Sequence, residues 1–551
     1  MTLCVPVALA GCDGQVVNCT DGGCGGSPPA TPAGATTKLD LLFVIDNSPG
    51  MADHQVALTA GVRRLLDGLT NPPCVEGDTV VYEPADLATP CPVGAVRRHA
   101  PLRDIHIGVI SSSLGALTLT GQQCGDATQD DRAHLLSRAR GGGTVATYLN
   151  QGFLAFDADA TMSPPGDPSL DSVTELLTEI IAGVGDTGCG YEMPLEAMTR
   201  FLVVPEPYDS LYDDGSALYQ PMGIDQVVLQ QRQDFLRPDS AVAVVLFSNE
   251  NDCSTDTFSL GHYLFLDRPY YKATSVCQED PNDPCCTSCA LGVPLGCVPD
   301  PACGPDVGTS AAYTYTIAED PKSLRCWEQK RRYGTDFLFP ISRYVNALTL
   351  QDIDPRMRVL TGDTGYTVPN PLFAGGRSPS DVHLLVLAGA PWQDVASDPS
   401  SGSSPLLNSE QLEASGQFEW LVGGEPFTDE SIVARSGANP AIGAIVAGAN
   451  PINGGDRTIP SSDDLQYACI TPLASPEVGG CGSCGPSCDD PTCSGEDRIA
   501  ARAFPGIRAY QLARSLGAGG TAASICPSDP AAPFRTALDA FAIAVGRSVA
   551  Q

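Results

Sequence analysis

The feature that most constrains this chain is the run Leu39-Asp40-Leu41-Leu42-Phe43-Val44-Ile45. It has the length of a strand and, Asp40 apart, no polar alternation, so a parallel sheet covered on both faces is the structure that would require it. It ends on Asp46. Beyond the Pro49-Gly50 turn, Leu58, Val62, Leu65, Leu66 and Leu69 recur at three- and four-residue spacing and draw one apolar stripe down a helix. Strand, acidic turn and helix open an α/β unit.

The pattern repeats. Strands are expected at Ile105 to Ile110, at Phe153-Leu154-Ala155-Phe156, at Ala241 to Phe247 and at Val382 to Leu387. Helices are expected from Leu170 to Val184, with Leu176, Leu177, Ile180 and Ile181 buried, from near Glu192 with Leu195, Met198 and Leu202 packed inward, and from Phe534 to Val545. Strands alternating with helices predict an α/β fold with a doubly wound, mostly parallel sheet flanked by helices. Two stretches look inserted: six cysteines crowd Cys277 to Cys303, and five lie between Cys469 and Cys493 in Gly-, Ser- and Asp-rich sequence.

Composition narrows the setting. The chain holds 22 cysteines, which a reducing cytosol would leave unpaired, so an oxidising compartment and disulfide-rich insertions follow. With 31 Lys and Arg against 65 Asp and Glu, the net charge is −34. Such a surface repels phosphate backbones, so nucleic acid is not an expected partner. The carboxylate excess suits hard divalent cations and also keeps an exported protein soluble. No stretch of about 18 apolar residues occurs, so contact with a membrane is expected through a lipid anchor only.

Leu3 to Ala10 is almost wholly apolar and runs into Leu9-Ala10-Gly11-Cys12, which resembles the lipobox of bacterial lipoprotein signal peptides. Residues 1–12 are therefore expected to form a signal peptide, with Cys12 the lipidated residue. Residues 13–37, rich in Gly, Pro, Thr and Ala with Cys19 and Cys24 closing a small loop, read as a flexible tether.

Three loops at strand ends carry a family resemblance: Asp46-Asn47-Ser48-Pro49-Gly50, Asp186-Thr187-Gly188 and Ser248-Asn249-Glu250. In order and setting they resemble the metal-ion-dependent adhesion site of von Willebrand factor A domains. The turns Gly188-Cys189-Gly190-Tyr191 and Asp252-Cys253-Ser254 are similar to those of cysteine-rich exported bacterial lipoproteins of that family, as are the later pieces Asp464 to Ile470 and Ser524-Ile525-Cys526. The resemblance implies a vWA-like (Rossmann-like) domain over residues 38–390, with the cysteine-rich insertion at about 253–310. Residues 391–551 are then a C-terminal extension whose cysteine-rich loop (469–493) and closing helix pack on that core.

The resemblance also implies a function: adhesion or protein binding without catalysis, in the cell envelope. A divalent cation, magnesium or calcium with manganese a third choice, would take Asp46, Ser48, Thr187 and Asn249 as ligands and leave one position for a carboxylate of a protein partner. Two residues depart from the family's pattern. Gly50 stands where a second Ser is usual, and Asn249, a neutral amide, where an Asp is usual, so the site carries one family carboxylate instead of two. Glu250 and Asp252 are near enough in sequence to compensate. A degenerate, metal-free surface and a structural or assembly scaffold of the envelope are the competing readings.

Other chemistry is poorly represented. Asp46 at a strand end would also suit a phosphatase-like hydrolase, but Ser48 occupies the position where that chemistry needs a second Asp. Gly-x-Ser-x-Gly, His-Glu-x-x-His and Gly-Lys-Thr/Ser signatures are missing. Of the 6 histidines, His54 and His99 are expected in solvent, His106 and His383 in strands, and His134 and His262 in loops. For Cys481-x-x-Cys484-x-x-x-Cys488 with Cys493, disulfides are favoured over zinc.

Overall fold

In the computed structural model, residues 37–114, 130–213, 219–256, 264, 270–304, 313–316, 318–354, 367–422, 465, 467–482 and 490–549 are described. The expected signal peptide at residues 1–12 with Cys12, the expected tether up to residue 36 with the Cys19 and Cys24 loop, Asp464 and His262 lie outside them.

The first apolar run forms strand β1 (Lys38–Ile45), followed by helix α1 (Ala52–Thr70), β2 (Asp104–Ser111), β3 (Leu154–Asp157), α2 (Leu170–Val184) and α3 (Pro194–Leu202). Then come α4 (Gln226–Phe235), β4 (Ala241–Phe247), α5 (Ile341–Thr349), β5 (Val382–Ala388), α6 (Ile507–Ser515), β6 (Gly520–Ser524) and α7 (Arg535–Val549). The six strands form one sheet in the order β6-β5-β4-β1-β2-β3. All neighbours run parallel except β3, which pairs antiparallel with β2.

Alternation along the strands explains why they are apolar throughout. Leu39, Leu41, Phe43 and Ile45 point into one core with Leu58 and Val62 of α1, Leu177 of α2 and Phe541 of α7. Leu42 and Val44 point into the other, with Leu195 of α3, Phe235 of α4, Tyr344 of α5 and Tyr510 of α6. Helices thus cover both faces, and the mixed α/β architecture with a mostly parallel sheet stands as expected. Within this sheet, the strand the sequence does not reveal is β6. Its Gly-Thr-Ala-Ala-Ser is buried beside β5 but too small in side chain to register as an apolar run.

Every cysteine among the described residues is disulfide-bonded. The insertion pairs within itself as Cys277–Cys286, Cys285–Cys297 and Cys289–Cys303. Further bridges join Cys74–Cys91, Cys253–Cys326, Cys469–Cys526 and Cys481–Cys493. Cys481 and Cys493 are therefore not zinc ligands, while Cys484 and Cys488 lie outside the described residues. Among the described residues no helix is long and apolar enough to cross a membrane.

Two histidines depart from expectation. His54 and His99 are buried, not solvated. His54 sits on the inner side of α1 with Nε2 3.0 Å from the Arg502 carbonyl. His99 lies against α7, where a Cβ on Gly546 would fall 2.4 Å from its ring. His54 lies between Asp53 and Gln55, and His99 follows Arg97-Arg98, so nothing local signalled burial. Leu176 is half-buried, at the edge of the α2 stripe.

Burial of His106 and His383 predicts an acid-sensitive fold. His106 donates Nδ1–H to the Phe235 carbonyl at 2.8 Å and packs on Phe153, and burial depresses its pKa to about 4. His383, 2.7 Å from the Ser548 hydroxyl, is likewise depressed to about 4 by burial. A histidine whose folded pKa lies below its unfolded value stabilises the fold fully above about pH 6.5, and that contribution is lost as pH falls towards 4. Each contributes up to about 3 kcal/mol. Denaturant titrations from pH 7 to 4 should show falling stability, with a shallower fall for His106→Phe; superimposable profiles for both proteins contradict this assignment.

Candidate functional site

Parallel register brings the carboxyl ends of the central strands level. Ile45 stands opposite Ser111 on one side and Phe247 on the other, and Phe247 opposite Leu387. The ladder runs one residue past the strands, through Asp46 N–H to the Phe247 carbonyl (2.8 Å), Ser112 N–H to Ile45 (3.0 Å) and Ser248 N–H to Leu387 (3.1 Å). Strand order reverses direction between β1 and β4, so the turns bearing Asp46 and Ser248 flank the crevice where doubly wound sheets place ligands.

The first turn is held from several sides. One carboxylate oxygen of Asp46 accepts from the Ser48 backbone N–H at 2.7 Å and the other from the Ser248 hydroxyl at 2.7 Å. Gln55 of α1 donates both to the Asp46 carbonyl (3.0 Å) and to Gly185 (2.7 Å), tying the first turn to the second. Gly188 N–H reaches the Asn47 carbonyl at 2.7 Å, an approach only glycine permits, since a Cβ there would lie 2.3 Å from the Asn47 side chain. Asn47 in turn accepts from Ser113 (2.7 Å), whose oxygen accepts from Cys189 N–H (2.9 Å).

The electrostatics are unusual. Asp46 is 0% exposed, and among the described residues no Lys, Arg or His pairs with it. Burial raises its pKa, against hydrogen bonds from Ser248 and Ser48 and the nearby Ser112 hydroxyl. Glu192, at the entry to α3, is 3% exposed and also lacks a basic partner among the described residues. Burial, then the negative charges of Glu250 and Asp46, push its pKa well up. The Ser48 and Ser112 hydroxyls favour the charged carboxylates by proximity, yet neither oxygen completes a well-formed hydrogen bond, nor does the Asn249 side-chain oxygen. Buried charges and buried polar oxygens are ordinarily paired, at a penalty of several kcal/mol per uncompensated ion.

Of the residues expected at the site, Asp46, Ser48 and Asn249 meet here. Asn249 is fixed by its carbonyl, which accepts from Phe504 N–H at 2.7 Å, and its amide nitrogen lies 3.4 Å from the Arg502 carbonyl. Gly50, at φ +104°, backs onto that amide. Thr187 is exposed on the second turn, beside Gly188. Glu250 is half-buried and electrostatically coupled to Glu192. Asp252 does not compensate as supposed: its oxygens accept from Leu195 N–H (3.1 Å), Ser254 Oγ (2.6 Å) and Arg508 Nε (2.9 Å), so it anchors α3 to α6.

Sequence reasoning missed Glu192, Ser112 and Ser248 as members of this cluster. The available signals were an acid beside the Gly188-Cys189-Gly190-Tyr191 turn and a serine triplet closing a strand. The donors are carboxylate, hydroxyl and amide oxygens, a set that fits a hard cation. Among the described residues no three His, Cys, Asp or Glu side chains form a ready metal-binding group, so any cation must draw on neutral oxygens as well.

No family model, curated protein or solved structure matches this chain.

Proposed function

We propose that the chain is an exported binding module on a von Willebrand factor A-like fold, which takes a divalent cation at Asp46 and meets a protein ligand that presents a carboxylate. The observation that carries the reading is Asp46: fully buried, without a basic partner among the described residues, and approached by the Ser48 and Ser112 hydroxyls, whose oxygens, like the side-chain oxygen of Asn249 on the third loop, complete no well-formed hydrogen bond. The sheet order, with one antiparallel edge strand, and the turns at its switch point support the fold assignment. Pervasive disulfides support export, and the lipobox-like Leu9 to Cys12 supports anchoring in the cell envelope.

Asp46, Ser48, Ser112 and Asn249 would hold the ion, with the Thr187 hydroxyl at the rim. A bound magnesium, calcium or manganese ion would supply positive charge for the partner's carboxylate, and no residue here is assigned a catalytic role. The test is calorimetric titration of the oxidised full chain with each chloride salt. Saturable one-site binding is expected, weakened at least about 100-fold by Asp46→Ala. No heat with any of the three ions overturns the reading.

One observation favours a scaffold instead. The insertion closed by Cys285–Cys297 and Cys289–Cys303 exposes Leu291, Leu295 and Val298 on a disulfide-stapled surface. Partner capture that survives both chelation and Asp46→Ala would select that alternative.

A further inference from the structure

Several buried or half-buried acids elsewhere in this fold are given an arginine, whereas Asp157 is held instead by the backbone N–H groups of Thr161, Met162 and Gly166. Glu196, one turn along α3, receives both Arg343 nitrogens at 2.9 and 2.7 Å. Asp252 receives Arg508 at 2.9 Å, Asp40 receives Arg237 at 2.8 Å, and Asp320 receives Arg332 at 2.7 Å. Asp46 and Glu192 are treated differently: both are buried, both lack a basic partner among the described residues, and each lies within reach of the other's charge.

The backbone fixes Glu192 at that place. Its carbonyl accepts from Cys253 N–H at 2.7 Å, and the next residue, Met193, donates N–H to the Ser112 carbonyl at 3.0 Å. The turn is thus clamped between the loop bearing Asn249 and the loop bearing Ser112, and the Ser48 hydroxyl approaches both acids. A pair of carboxylates from different loops, with the Ser48 and Ser112 hydroxyls nearby and neither completing a well-formed hydrogen bond, is an arrangement for a doubly charged ion.

We infer that Glu192 is the second acidic ligand of the cation site, supplying from the turn before α3 the charge that Asn249 lacks. The inference rests on the cation reading above and adds to it: the site holds two carboxylates, one of them moved to a loop that the adhesion motif does not include.

The test is calorimetry with manganese chloride on the oxidised full chain, comparing wild type with Asp46→Ala, Glu192→Gln, Asn249→Asp and Glu192→Gln/Asn249→Asp. Glu192→Gln should weaken binding at least about 100-fold, and adding Asn249→Asp to it should restore most of the loss by returning a charge to the third loop. Without cation, Glu192→Gln should melt at or above the wild-type temperature, because an amide replaces an unpaired buried acid. A purely structural Glu192 would do the reverse, lowering the melting temperature and leaving affinity within about threefold. Wild-type binding that Asp46→Ala removes and Glu192→Gln leaves intact overturns this inference alone. A wild type that binds no manganese overturns the cation reading and this inference with it.

Discussion

Arg237→Met should destabilise the fold by about 3–5 kcal/mol, the usual consequence of leaving a buried charge without its partner. The partner is Asp40, the one polar residue in the apolar run of β1 and fully buried. Arg237 Nε and its backbone N–H each reach an Asp40 oxygen at 2.8 Å, and its guanidinium also contacts the Leu39 carbonyl at 2.8 Å and the Asp104 carboxylate. Ser240 also bonds Asp40, and Arg377 stands 3.9 Å away. Burial alone pushes the Asp40 pKa up, and Arg237 is the largest opposing influence. Urea denaturation at pH 7 measures the loss, and Asp40→Leu/Arg237→Met should lose distinctly less, because it removes both charges together. A loss below about 1 kcal/mol in the single variant would show that the pair is not what holds this end of the sheet.

Cys469→Ala/Cys526→Ala should cost about 4 kcal/mol, as expected for a bridge spanning 57 residues of chain. Cys526 follows β6 closely, and Cys469 opens a strand, Cys469–Glu477, that pairs with Asp497–Ala503. The second of these strands ends behind the candidate site: the Arg502 carbonyl faces His54 and Asn249, and Phe504 N–H holds the Asn249 carbonyl. Loss of the bridge therefore frees the element that fixes the third loop, and cation affinity should fall with stability. The measurement is denaturant unfolding of the double variant beside the oxidised wild type. Equal stabilities within about 1 kcal/mol would mean that the two strands hold the loop without the covalent tie.

The central strands were legible because burial on both faces leaves an uninterrupted apolar run, as in β1 and β4. The helix Leu170–Val184 was legible to its ends through its stripe and the glycine that follows. β6 was not, because its Ala and Ser side chains carry little hydrophobic signal and the sheet position alone buries them. His54 and His99 were misplaced for a related reason: their burial comes from Arg502 and from Gly546, both more than 400 residues away. At the site, Asp46, Ser48 and Asn249 could be named from turn motifs at strand ends. Glu192 could not, since only the tertiary clamp of Met193 on Ser112 and of Cys253 on Glu192 sets it beside Asp46. Asp252 shows the converse, a carboxylate adjacent in sequence that the fold turns towards Arg508.

The most direct test of the central claim is an anomalous difference map at the manganese edge from crystals of the oxidised protein soaked in manganese chloride. A single strong peak bounded by Asp46, Ser48 and Glu192 is the result predicted, missing from Asp46→Ala crystals treated in the same way. A map with no peak at Asp46, or with manganese bound only at surface carboxylates, would contradict it.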